Sequence, residues 1–305
     1  MNLLSLLGAM EGAVAQGTIW GIMAVGVFLT YKILDFADLT VDGSLCTGGS
    51  VAVMLMLSGV NPSVALLCAF GAGLLAGLVT GLFHTALGIP PILSGILTQL
   101  ALYSVNIRIM GKSNQAISVD KYDLIVSSRF LSENPVTLFV TLGLFVVVLV
   151  GLLYWFFGTE VGNSIRATGD NLNMARAQGI NTGFQKVLCL MLSNGMVALA
   201  GGLLAQYQGN SDINMGRGAI VIGLAAVIIG DVLFSWVFRN FALRLLGVVF
   251  GAMIYYIVIT IVLQLGLETT DLKLLTALVV ALFLSVPYLK GKIRKPVVKG
   301  GDFRA

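Results

Sequence analysis

Residues Gly158–Gly183 read GTEVGNSIRATGDNLNMARAQGINTG, and the rest of the chain is organised around them. They form the longest polar interruption between two long apolar runs, Val136–Phe157 before and Val187–Ala205 after. Within the stretch, Ile165, Ala167, Met174, Ala175 and Ile180 alternate with polar groups, the pattern of two short amphipathic helices. Two turn-forming clusters, Gly169-Asp170-Asn171 and Gly179-Ile180-Asn181, break the pattern. Asp170 or Asn171 can cap the second helix, predicted over Leu172–Gln178. A structured helix pair in a connecting loop implies that something docks on it.

Composition fixes the class. Hydrophobic residues make up 57% of the 305 and charged residues 10%, and the mean hydropathy is +0.96. A soluble domain carries about a quarter charged residues, whereas several runs here reach the ~20 apolar residues that cross a bilayer as a helix. The expected fold is all-α, a polytopic membrane bundle forming a single permease-sized domain over 1–305, multi-pass in the lipid bilayer. The net charge of +4 sits mostly at the ends of apolar runs, so it does not describe a nucleic-acid surface. Cys46, Cys68 and Cys189 lie in apolar segments at irregular spacing and read as small core residues, not as a metal site or disulfide framework. Met1–Met10 is apolar without a basic leader, which predicts a retained segment, with a short interfacial helix at 1–10.

Nine spans are predicted: 12–34, 39–60, 62–86, 89–108, 134–157, 186–208, 216–237, 241–265 and 271–289. Placing the loop 158–186 inside sets the side of every other loop. Lys32, Arg166, Arg176, Lys186, Arg239, Arg244 and the six basic residues of the tail 290–305 then fall inside. Arg108, Lys112, Lys121, Arg129, Arg217 and Lys273 fall outside. Twelve against six satisfies the positive-inside rule, and the N-terminus comes out external. The external loop 109–133 is a candidate docking surface for an extracytoplasmic partner.

Inside the spans, polar residues are costly unless they face other helices or water. Gln99, Tyr103 and Asn106 fall near one helical face, either lining a solute route or supplying interhelical hydrogen bonds. Arg108, at the outer end, can meet an incoming carboxylate or snorkel. Asp35, Asp38 and Asp42 cluster at a membrane boundary. They can hold a cation, but Asp38 and Asp42 read more simply as caps of the following helix. Gly73, Gly77 and Gly81 share one face at a spacing of four, and Gly247 with Gly251 repeats the device; both predict close helix packing. His84 stands alone and reads as a polar rim residue, and Asp231 as an interfacial cap.

The polar stretch resembles the cytoplasmic coupling loop of ABC importer permeases, in the branched-chain amino acid/ribose permease family. Gly162, Arg166, Ala167, Gly169, Asn171, Ala175, Arg176, Gly179 and Ile180 carry the pattern, and the resemblance runs from about Gly17 to Val286. Ala37–Ser44 and Ser94–Gly111 look like the subgroup described as tryptophan/tyrosine-type permeases. The resemblance implies a homodimer of permease subunits, with two ATPases on the coupling loops and a solute-binding protein outside, in a bacterial plasma membrane. It adds Asp170 and Met174 to the ATPase-facing residues, and it implies that ATP is used by the partner while this chain binds no cofactor. The chain has no Gly-x4-Gly-Lys-Ser/Thr phosphate loop of its own. Two other classes compete. An ion-coupled secondary transporter would use Asp35, Asp38 and Asp42, and an intramembrane enzyme would need a catalytic set that one histidine and no His-Glu-x-x-His do not supply.

Overall fold

The computed structural model describes residues 3–265 apart from 119–121, 123, 134, 235 and 239, together with 274, 276–282 and 285. Among the described residues, six helical segments are long and apolar enough to cross a membrane. They are α1 (Leu3–Phe28, continued by a π-helical turn Leu29–Ile33), α3 (Pro62–Thr85) and α4 (Pro91–Met110), then α6 (Pro135–Gly158), α9 (Thr182–Gln208) and α11 (Phe241–Gln264). The other elements are α2 (Val41–Leu57), β1 (Asn114–Ala116), α5 (Phe130–Glu133), α7 (Glu160–Asp170), α8 (Leu172–Ala177), β2 (Asn210–Asp212) and α10 (Ala219–Phe234). The chain is a multi-pass helical membrane protein.

The nine predicted spans need correcting. Predicted segments 39–60 and 216–237 become α2 and α10, of 17 and 16 residues. At ~1.5 Å per residue these are about 25 Å long, short of the ~30 Å hydrocarbon core. Both begin inside the bundle. A Cβ on Gly43, in the first turn of α2, would press on Gln99 and Leu102 of α4. Those positions lie ~12–17 Å along α4, near its half-height. Gly216, just before α10, packs on the Asp42 carbonyl, so α10 starts at the same level. The ninth segment, 271–289, falls largely outside the described residues; 276–282 are helical, and the Tyr255 hydroxyl donates to Thr276 Oγ1 at 3.1 Å. The tail 290–305 lies outside them altogether. The helix that begins at Leu3 runs unbroken into the first span, so the described residues 3–10 form no separate helix.

Burial sorts the bundle. The first span is 83% buried and α9 72%, against 22% for α4 and 28% for α6, so α1 and α9 form the centre. The glycine stripe of α3 explains how α9 is approached. A Cβ at Gly73, Gly77 or Gly81 would collide with the α9 backbone at Asn194, Leu190 and Val187 respectively. Gly48 of α2 likewise meets Ala198 and Gly201 of α9 meets Leu45. In lipid, where apolar burial drives helix association weakly, such backbone contact is what holds helices together. Gly251 of α11 packs on α10 at Ala226 and Gly230, as the second small-residue pair predicts.

At the end of the bundle away from α7 and α8, β1 pairs antiparallel with β2, Gln115 facing Ser211. The connection 109–133 thereby lies across the bundle: Ile117, Leu124 and Val126 are buried, and Ile125 N–H donates to Gln206 Oε1 at 3.1 Å.

Replacing Gly77 by valine forces two helix backbones apart and should destabilise the purified protein by about 2 kcal/mol or more. Gly71→Val on the same helix, where nothing lies within 4 Å of an added Cβ, should leave the melting temperature unchanged. Thermal denaturation in detergent compares the two.

Candidate functional site

The polar stretch folds as two helices meeting at Asn171. Thr159 Oγ1 accepts from Gly162 N–H at 3.3 Å and caps α7. Asn171 Oδ1 accepts from Asn173 and Met174 N–H at 3.1 and 3.0 Å and caps α8. Gly169 and Asp170 stay helical, so the break is a single residue. The two helices face differently. Ile165 is fully buried in the main core and Ala175 is 1% exposed, so neither offers the apolar contact to a partner that the sequence suggested. Gly162 packs on Phe156 and Phe157, and Gly169 on the Ile33 carbonyl at the end of the π turn. Arg166 lies with its guanidinium carbon 4.2 Å from the Phe241 ring centroid and 5.5 Å from that of Phe157, a cation–π seat within the chain. Burial lowers the pKa of this guanidinium from its usual value, and Asp170 opposes the shift; arginine stays charged regardless. Ala167 and Ile180 are half-buried, whereas Asp170, Asn171, Met174, Arg176 and Gly179 are exposed, Met174 at 63%. Arg176 Nε donates to Thr182 Oγ1 at 3.2 Å.

Beside the rim, Lys32 pairs with Asp231 at 2.8 Å, so Asp231 bonds across helices instead of capping one. His84 links the connection after α3 to α9: Nδ1 lies 2.9 Å from Ile89 O and Nε2 3.1 Å from Lys186 Nζ. Because ammonium can only donate, Nε2 is the acceptor and Nδ1 the donor.

The three aspartates are dispersed. Asp35 is exposed at the rim, with a left-handed φ of +53°. Asp38 is buried, accepting from Thr40 N–H at 2.9 Å and from Asn194 Nδ2 at 2.7 Å; Ser44 Oγ in turn donates to Asn194 Oδ1 at 2.6 Å. Thr40, Thr80 and Thr98 extend the network at 2.7 and 2.9 Å. Asp42 caps the wrong helix by the sequence expectation. Its carboxylate accepts from Gly218 and Ile220 N–H, both at 3.0 Å, at the start of α10. Among the described residues no three His, Cys, Asp or Glu side chains gather to hold a metal, which leaves the ion-coupled alternative without a ligand cluster.

Gln99, Tyr103 and Asn106 do converge. They line a cavity of about 140 Å³ with Asp42, Gly43, Cys46, Leu100, Ile213 and Arg217. Arg108 is exposed and is not part of it. Asn106 is 1% exposed; its Nδ2 lies 3.5 Å from Gly43 O, and its Oδ1 is buried with no partner. The cavity sits at the half-height where α2 and α10 begin. Sequence reasoning missed Arg217, because nothing local shows that the connection before α10 descends to Asp42.

Residues 9–286 match the family described as branched-chain amino acid transport system / permease component. The chain belongs to that family. A tyrosine transport system permease protein of Clostridioides difficile is 41% identical over 284 residues, 93% of each chain. A galactofuranose transporter permease protein of Escherichia coli is 30% identical over 68% of this chain and 60% of its own length. Among solved structures, PsaBC from Streptococcus pneumoniae in complex with Fab shares the fold, with a TM-score of 0.50 at 17% identity and 94% of both chains covered. This permease therefore has its family's bundle.

Removing Asp38 leaves the Thr40 N–H and one Asn194 Nδ2 hydrogen unmet, the other staying on Leu190 O at 3.0 Å, and a buried unsatisfied polar group costs ~1–3 kcal/mol. Asp38→Ala should lower the unfolding temperature clearly more than Asp38→Asn, which keeps an acceptor; circular dichroism melts of the purified variants measure the difference.

Proposed function

We propose that this chain is the membrane-spanning subunit of a binding-protein-dependent ABC importer that takes up an aromatic amino acid such as tyrosine. The observation that carries the reading is the split orientation of the helix pair. Buried Ile165 and half-buried Gly169 and Arg166 hold α7 to the bundle, while α8 turns Met174, Arg176 and Gln178 outward. An element anchored on one side and exposed on the other suits a separate subunit that pushes on it. The charge asymmetry supports placing this end in the cytoplasm of a bacterial plasma membrane. The partner there is an ATPase that binds and hydrolyses ATP, with closure of the ATPase pair moving the helices and switching access of the bundle.

The ATPase-facing set narrows within the sequence assignment. Arg176 and Asn171 supply hydrogen bonds, and Met174 supplies apolar contact. Gly162, Arg166, Ala167, Gly169, Ala175 and Ile180 hold the pair to its own bundle. At the other end, the ribbon-bearing connection 109–133 offers a fixed surface to a solute-binding protein, and a second copy of the chain completes the pathway. The high identity to a permease named for tyrosine transport, along nearly the full length of both chains, supports an amino-acid solute.

Met174→Asp places an unpaired charge in the middle of this surface without touching the core. It should reduce ATPase co-purification by about tenfold or more, and binding-protein-stimulated hydrolysis in proteoliposomes should fall with it, while insertion of the permease is normal. Full ATPase binding and tyrosine uptake by Met174→Asp together with Arg176→Ala would remove the coupling assignment.

A further inference from the structure

We propose that the half-height cavity is a zwitterion clamp: Arg217 takes the α-carboxylate of an amino acid, and Asp42 with Asn106 takes its α-ammonium. The proposal rests on the importer reading above and adds that the permease itself, not only its binding protein, selects for the amino-acid headgroup.

Three observations carry it. First, Asp42 and Arg217 line one cavity of about 140 Å³ yet form no ion pair with each other; the ion pair among the described residues is Lys32–Asp231. The Asp42 oxygens are fixed by the Gly218 and Ile220 N–H groups. Those donors are neutral dipoles, so the negative charge has no cation opposite it. Charges of opposite sign held in one cavity but unjoined match a ligand that carries both. Second, Asn106 Oδ1 is an acceptor shut away from water with no partner. A native fold rarely leaves such a group unmet without a reason, and an ammonium has three N–H donors to spend on Asp42 and Asn106. Third, size limits what enters. At about 140 Å³ the cavity has room for a small polar group. That suits the headgroup of an amino acid, with an aromatic side chain lying outside it against Tyr103, which is 44% exposed. A sugar would find no use for the paired opposite charges.

The test uses the purified permease–ATPase complex without binding protein and measures equilibrium binding of radiolabelled L-tyrosine. Competitors are tyramine, which lacks the carboxylate, and 3-(4-hydroxyphenyl)propionate, which lacks the ammonium. Each should compete about tenfold more weakly than L-tyrosine, one charge-assisted hydrogen bond being worth about that factor. Arg217→Gln should weaken tyrosine binding about tenfold and bring tyramine level with tyrosine, with Arg217→Lys intermediate. Among the described residues the Arg217 side chain makes no hydrogen bond or ion pair, its backbone N–H alone donating to Asn214 O at 3.0 Å, so its replacement leaves the fold's bonds intact; ATPase co-purification checks assembly of every variant. Competitors equal to tyrosine on the wild type, or discrimination retained in Arg217→Gln, would overturn the clamp. Binding-protein-dependent tyrosine uptake in proteoliposomes separates the two readings. Uptake with an unchanged KM in Arg217→Gln overturns the clamp alone, whereas a wild-type complex with its ATPase and binding protein that takes up no amino acid overturns the importer reading as well.

Discussion

A helix that begins inside a membrane bundle leaves N–H groups that no water can satisfy, so an acceptor must be built for them. Two helices of this permease begin that way. Asp42, in the first turn of α2, supplies the acceptor for α10 by taking the Gly218 and Ile220 N–H groups. Asp38 does the same at the start of α2, taking the Thr40 N–H. Each carboxylate also complements the positive end of a helix dipole. The two requirements place two aspartates at half-height, and a polar cavity follows from that placement.

The surrounding structure keeps these carboxylates where they are. Asp38 is gripped by Asn194 of α9, the most central helix after α1, and Asn194 is itself reached by Ser44 of α2. The glycine at position 73 lets α3 close directly onto the Asn194 carbonyl. Small residues and hydrogen bonds thus act at one place: backbone approach brings the helices near enough for the side chains to connect. A larger residue at any of Gly48, Gly73 or Gly77 would separate the polar partners as well as the helices.

Local signals in the sequence carried much of this. The spacing of Gly73, Gly77 and Gly81 showed a packing face because helical periodicity alone decides which residues share it. Asn171 was legible as a cap, and the convergence of Gln99, Tyr103 and Asn106 followed from 3.6-residue spacing. Long-range pairings were not legible. Asp42 sits 176 residues before the Gly218 amide it caps, and Arg217 joins the cavity only because the connection after β2 descends into the bundle. Hydropathy also overcounted full spans, since α2 and α10 are as apolar as their neighbours and only tertiary contacts reveal that they start at half-height. That Ile165 and Ala175 face the chain's own bundle was not legible, because amphipathicity shows that a helix has an apolar face but not which body covers it.

The helix pair and the cavity are joined by a short run of packed chain. Gly169 of α7 rests on the Ile33 carbonyl, the last residue of the π turn. That turn is held by Leu34 N–H on Leu29 O at 3.1 Å and Phe36 N–H on Thr30 O at 2.9 Å, wider bonds than an α-helix makes and a form often found at functional positions. Five residues beyond Ile33 stands Asp38, and nine beyond it Asp42 at the cavity wall. No side chain at residue 169 cushions the contact between α7 and Ile33. A close-packed interior transmits displacement instead of absorbing it, so part of any shift of α7 reaches the π turn and, through it, the connection that leads to the start of α2. The glycine at 169 therefore does more than seat a helix. It brings α7 directly against the chain segment that leads to the cavity wall.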